Sequence, residues 1–132
     1  MNLGSPGAPL SPMGHRLPKS ALIRSGREIR DVMRRGTRRR THLLDVFVLD
    51  SPELRPRLGF VVPKAGHKIV DRNQLKRRLR EIGRTKALPS LFCIERKTDV
   101  LIRARRKAYD ASWSELEGDL MAAVEGICSE NS

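Results

Sequence analysis

Residues 71–84, DRNQLKRRLREIGR, carry the cations Arg72, Lys76, Arg77, Arg78, Arg80 and Arg84 against two acids, Asp71 and Glu81. A guanidinium presents a planar fork of donors that fits phosphate oxygens, and each contact with a nucleic-acid backbone releases condensed counterions. A charge run is often only the solvated face of a helix. That reading leaves this run uncompensated, because two acids cannot pair with all of these cations and like charges four positions apart weaken a helix. A polyanion outside the chain would supply the missing charge. Asn73, on the same side as Lys76 and Arg80, adds hydrogen-bonding capacity toward a sugar or base.

No second kind of chemistry competes with this one. His15 lies in an N-terminal tail, His42 precedes a strand and His67 sits in the loop PKAGHK, none of them beside a recognisable Ser or Cys nucleophile. Cys93 and Cys128 lack a Cys or His at ligand spacing, so they read as reduced, mostly buried thiols rather than zinc ligands. Neither a phosphate-cradling Gly loop nor a zinc-finger spacing is present. The formal charge of the 132-residue chain is +12, which implies an anionic partner. The excess comes from residues 15–40 and 55–86, whereas residues 110–132 hold acids and no base.

The elements that must hold the cations follow from periodicity. Residues 1–18 are rich in Gly, Pro and Ser and read as a disordered tail, with Met13 an alternative start. Residues 19–128 form one domain and 129–132 a short C-terminal tail. In SGREIRDVMRRG, Ser25 and Glu28 have capping-box spacing, Ile29, Val32 and Met33 share a stripe, and Gly36 offers a stop. LLDVFVL, residues 43–49, reads as a strand with Leu44, Val46 and Val48 on one face and Asp45 and Phe47 on the other. RLGFVV, residues 57–62, is a second strand ending at Pro63, and the short turn between the two predicts an antiparallel hairpin. In the basic helix, Leu75, Leu79 and Ile82 define the core side and Asp71 with Gln74 predicts a start near Arg72. TDVLIRA, residues 98–104, is a further strand. A capping box at Ser112 and Glu115 opens a last helix with Trp113, Leu116, Leu120, Val124 and Ile127 on one face. The order suits an α+β layer of helices on a small sheet. No apolar run approaches the ~18 residues of a membrane span, and no signal-peptide core is present, so a cytoplasmic location is expected.

RNQLKRRLRE, preceded by RLGFVVPK and followed by DVLIRAR, resembles the protein component of bacterial ribonuclease P. Arg72, Asn73, Lys76, Arg77, Arg80 and Glu81 match the family's basic-helix pattern, Lys64 its lysine after the strand, and Ala104 with Arg105 its final strand end. The likeness runs from about Leu17 to Ile127. It implies a small α/β sandwich with a central, mostly antiparallel sheet, three helices, and the basic helix in a left-handed βαβ crossover. It also implies endonucleolytic removal of the 5′ leader of precursor tRNA, with the active site and its Mg2+ on the catalytic RNA and no catalytic residue on this chain. The RNA-binding set would be Lys64, Arg72, Asn73, Lys76, Arg77, Arg80, Arg84 and Arg105, and the leader cleft would be lined by Ile29, Met33 and Phe47. The partners implied are that catalytic RNA and precursor tRNA, with no membrane and no obligate protein. Gln74 stands where the family usually has Arg, although Arg78 adds a cation nearby; Ile29 and Met33 replace an aromatic pair. The alternatives are a DNA-binding regulator or a structural ribosomal protein using the same helix.

Overall fold

Alternating apolar residues and two well-capped helices build a sheet covered on both faces. A computed structural model describes residues 17–131 except 54, 65 and 95; the expected tail, with Met13 and His15, falls outside the described residues up to residue 16. Four strands, β1 (Thr37–Arg40), β2 (Leu44–Asp50), β3 (Arg57–Val61) and β4 (Thr98–Ala104), lie in the order β1-β2-β4-β3. The helices are α1 (Gly26–Arg35), α2 (Ile69–Ile82), α3 (Leu88–Phe92) and α4 (Trp113–Asn131), with a π turn at Gly83–Ala87 between α2 and α3.

The predicted hairpin of residues 43–49 with 57–62 does not form. β4 lies between β2 and β3, antiparallel to the first and parallel to the second. The apolar faces explain the choice: Val100, Ile102 and Ala104 insert between Leu44 and Val46 on one side and Leu58 and Phe60 on the other, all buried in one cluster. A two-stranded hairpin would leave each of those strands short of a neighbour to bury it. β3, α2 and β4 thus make a parallel crossover that carries the basic helix on one face of the sheet.

β1 has no apolar pattern to announce it, since its sequence is TRRR. It forms because Gly36 lets the chain leave α1 and pass close to β2. A Cβ there would lie 2.6 Å from the carbonyl oxygen of Val32 and 2.9 Å from that of Val48. Arg38 and Arg40 then reach Asp45 at 3.7 and 3.2 Å on the α1 face of the sheet, while Arg39 turns the other way to pair with Glu130 of α4.

Two apolar layers result. The larger lies between the sheet and α2, α3 and α4 and contains Leu75, Leu79 and Ile82 with Leu116, Leu120, Val124 and Ile127. Burial of each such side chain contributes about 1.5–3 kcal/mol. The smaller joins α1 to the opposite face through Ile23, Val32, Phe47 and Leu101, with Ile29 and Met33 half-buried at its margin. Trp113, expected on the core stripe of α4, is instead 42 % exposed and donates to Glu117 at 3.1 Å. Residues 129–131, read as a tail, continue α4.

Both Ser caps are present, in different forms. Ser112 and Glu115 close a reciprocal box, at 2.8 and 3.1 Å, and the bonds hold the Glu115 carboxyl below its ordinary pKa. Ser25 accepts from the N–H groups of Arg27 and Glu28, but the Glu28 carboxylate does not reciprocate. It joins an ion cluster instead. Arg57 donates through Nε and Nη2 to both oxygens of Asp99, at 2.9 and 2.7 Å, and through Nη2 to Glu28 at 3.1 Å. This bidentate pair, buried between β3 and β4, ties α1 to the sheet and raises the Arg57 pKa, chiefly through the bond to Asp99.

Candidate nucleic-acid interface

The core stripe of α2 decides what its far side presents. With Leu75, Leu79 and Ile82 buried, Asn73, Arg77 and Arg80 are exposed and Lys76 is half-buried on one outward face. The helix begins at Ile69, one turn before the predicted start; Lys68 is the N-cap and gives no side-chain cap, so Asp71 lies inside the first turn. Among the described residues no acid pairs with Lys76, Arg77 or Arg80; the single ion pair of the run joins Arg84, in the π turn, to Glu81 at 2.5 Å. The cost shows on Lys76, whose pKa is lowered first by desolvation and then by the neighbouring Arg80 and Arg72. The charge of this face is uncompensated among the described residues.

The other expected contact residues divide between those left exposed and those engaged within the fold. Lys64 is exposed in the loop after β3, where Gly66 adopts a positive φ of 78° and the His67 N–H closes a turn onto the Lys64 carbonyl at 2.8 Å. His67 stacks on Tyr109, with centroids 3.6 Å apart, and the Tyr109 hydroxyl donates to the Pro63 carbonyl at 2.9 Å, so both ends of this loop are held. Burial raises the Tyr109 pKa, which keeps that hydroxyl a donor. Arg72 folds back toward the Val62 carbonyl, at 3.4 Å, and steadies the start of α2. Arg105 donates to the carbonyls of Thr41 and His42, at 2.7 and 3.3 Å, and so braces the β1–β2 loop rather than pointing freely outward.

Phe47 departs furthest from expectation. It is 7 % exposed beneath α1, in contact with the cluster of Ile23, Val32 and Leu101, and offers no free ring face for a base. Ile29 and Met33 pack against the same cluster, half-buried. Cys93, expected to be buried, is exposed, and Cys128 is half-buried.

What the sequence reading missed is a row across the open end of the α1 face. The pairing register aligns Arg40 with Asp45, Asp45 with Arg103 and Arg103 with Val61. Arg103 is exposed and makes no ion pair among the described residues. Its period-two spacing from Leu101 in TDVLIRA was the available signal, since it places Arg103 on the Phe47 face. The row ends at the β3 terminus, from which the chain runs through Lys64 into α2. The row and the N-terminal end of α2 therefore lie at the same end of the sheet.

A four-stranded sheet with helices on both faces and a cationic helix in its parallel crossover defines a small α+β sandwich. The Ribonuclease P family model matches residues 17–127. The chain is 37 % identical over 113 residues to the ribonuclease P protein component of a Nocardioides species, covering 82 % of this chain and 92 % of that one. It is 40 % identical over 93 residues to that of Thermus scotoductus, covering 70 % of this chain and spanning about half, 52 %, of the relative's length. Among solved structures, the Staphylococcus aureus RNase P protein superposes with a TM-score of 0.69 at 24 % identity, over 86 % of this chain and all of that one, and so supports the fold. This chain belongs to the ribonuclease P protein family.

Proposed function

We propose that this chain is the protein subunit of a ribonuclease P ribonucleoprotein that removes the 5′ leader of precursor tRNA. The observation that carries the reading is the outward face of α2, where Asn73 stands beside Lys76, Arg77 and Arg80, cations that no acid among the described residues pairs. Phosphates of the catalytic RNA supply the missing charge, and Lys64 extends the contact along the loop before the helix. Arg84, already paired with Glu81, and Arg72 and Arg105, engaged with backbone carbonyls, contribute less.

The leader strand crosses the open half of the α1 face. Arg103 supplies the phosphate contact, with Arg40 at the far end of the row already paired with Asp45, and Val61 with the half-buried edges of Ile29 and Met33 supplies apolar ones; Phe47 supports them from below. A backbone held by cations along an extended row is the usual way proteins follow a single strand. Strands and a π turn flank α2, which disfavours a DNA regulator built on a helix-turn-helix.

The chain supplies no catalytic residue in this reading, and the Mg2+ used in cleavage is held by the RNA. The α2 face is cationic and so suits phosphate oxygens rather than a metal ion. No helix among the described residues is long and apolar enough to cross a membrane; a cytoplasmic site of action is part of the proposal.

Reconstitution tests it. Added to a bacterial ribonuclease P RNA at low magnesium, the protein should restore precursor-tRNA cleavage while cleaving nothing alone. Failure to stimulate the RNA, or cleavage by the protein alone, would overturn the assignment.

A further inference from the structure

Two β-branched side chains stand at the start of α2 where the core cannot use them: Ile69 is 69 % exposed and Val70 74 %. Neither suits a solvated helix position, since branching at Cβ restricts χ1 and lowers helix propensity. Their place on the helix is informative. At 3.6 residues per turn, Ile69 lies above Asn73, Lys76 and Arg80, and Val70 lies above Arg77. The apolar pair therefore tops the outward cationic face, unpaired among the described residues, and points away from Leu75, Leu79 and Ile82. Lys68, exposed, precedes the pair as the N-cap of the helix, and Lys64, also exposed, lies in the loop before it.

We propose that Ile69 and Val70 form an apolar step that receives the face of an unpaired nucleobase in the RNA bound by α2. The inference rests on the RNA-binding reading of that helix and names what its N-terminal end recognises. An apolar pair set between the exposed lysines of the preceding loop and the cations Lys76, Arg77 and Arg80 further along the same helix is complementary to a partner that is itself apolar at one point and anionic on either side. A nucleotide in a single-stranded loop or bulge has this make-up, with a stackable base and flanking phosphates. In a duplex the base faces are hidden by their neighbours, so the step selects unpaired positions.

The test uses the full chain with bacterial ribonuclease P RNA as the probe. The double variant Ile69→Ala/Val70→Ala should bind about tenfold more weakly. Its dependence of log K on log salt should stay as steep as in the wild type, because no phosphate contact is lost. The thermal midpoint should hold or rise, since Ala is the better helix former. Lys76→Ala in the same titration should show the opposite signature, a shallower salt dependence. Unchanged affinity in the double variant alongside a weakened Lys76→Ala would overturn the apolar step and leave the RNA face standing. A loss of affinity accompanied by a shallower slope would overturn it as well. No effect from either variant would remove the RNA face and the step together. A wild-type dimer in sedimentation that the double variant abolishes would assign the patch to a second copy of the chain and refute the proposal.

Discussion

Arg57 and Lys76 are both partly desolvated cations, and the molecule treats them in opposite ways. Arg57 is met by Asp99 and Glu28, which raise its pKa; Lys76 is met by Arg80 and Arg72, which with burial lower it. Where the fold itself needs a cation below the surface, it supplies carboxylates with good geometry. Where it supplies further cations instead, the arrangement is a cost to folding that a partner must offset. The contrast separates structural charge from binding charge without reference to sequence position, because both residues lie within segments of high positive charge.

The sharpest way to break the comparison is at Arg57. Arg57→Ala leaves Asp99, 2 % exposed, as an unpaired buried charge and should cost about 3–5 kcal/mol in urea denaturation. Replacing Arg57 and Asp99 together by apolar residues of similar volume should recover most of it. A loss below about 1 kcal/mol for the single variant, the range of an exposed pair, would put Arg57 in the same category as Lys76.

At Lys76 the sign should reverse. Removing one like-charged neighbour from the α2 row, as in Lys76→Ala, should leave stability unchanged or raise it by about 0.2–0.5 kcal/mol, while RNA affinity falls. Its pH dependence follows from the lowered pKa. Within the fold the charged amine is disfavoured, so the unfolded chain binds more protons between the two pKa values, and stability rises as pH climbs through that window. RNA binding runs the other way, weakening as Lys76 loses its proton at a pH below the ordinary lysine value. Lys76→Arg should bind RNA with no such decline over the same range, measured as affinity at stepped pH. The smallest effect belongs to Arg84→Ala: its pair with Glu81 is a partly exposed one, worth about 0.2–1 kcal/mol, and its loss should alter the salt dependence of RNA binding less than Arg80→Ala does.

Local signals were legible in the sequence and long-range ones were not. The Ser25 and Ser112 caps, the faces of β2 and the core stripe of α2 all follow from residues within a few positions of one another, and each is present. The insertion of β4 between β2 and β3 joins segments about forty to sixty residues apart, and no spacing rule pointed to it. The pair of Arg57 with Asp99 depends on that insertion and was hidden for the same reason. β1 was missed because TRRR pairs through its backbone and carries no apolar alternation. Among the candidate site residues, the outward placement of Lys76, Arg77, Arg80 and Asn73 was readable because one helix carries them all. Phe47 was placed on the correct face, yet its burial depends on α1 crossing above it, which the alternation of β2 does not encode.

The salt dependence of RNA binding tests the central claim most directly. Log K for a bacterial ribonuclease P RNA should fall with log salt, and the triple variant Lys76→Ala/Arg77→Ala/Arg80→Ala should lower that slope by about three, near one per lost phosphate contact, with its urea midpoint at or above the wild-type value. An unchanged slope, or a slope lowered only because the variant unfolds, would contradict the account of α2 as a charged face completed by RNA.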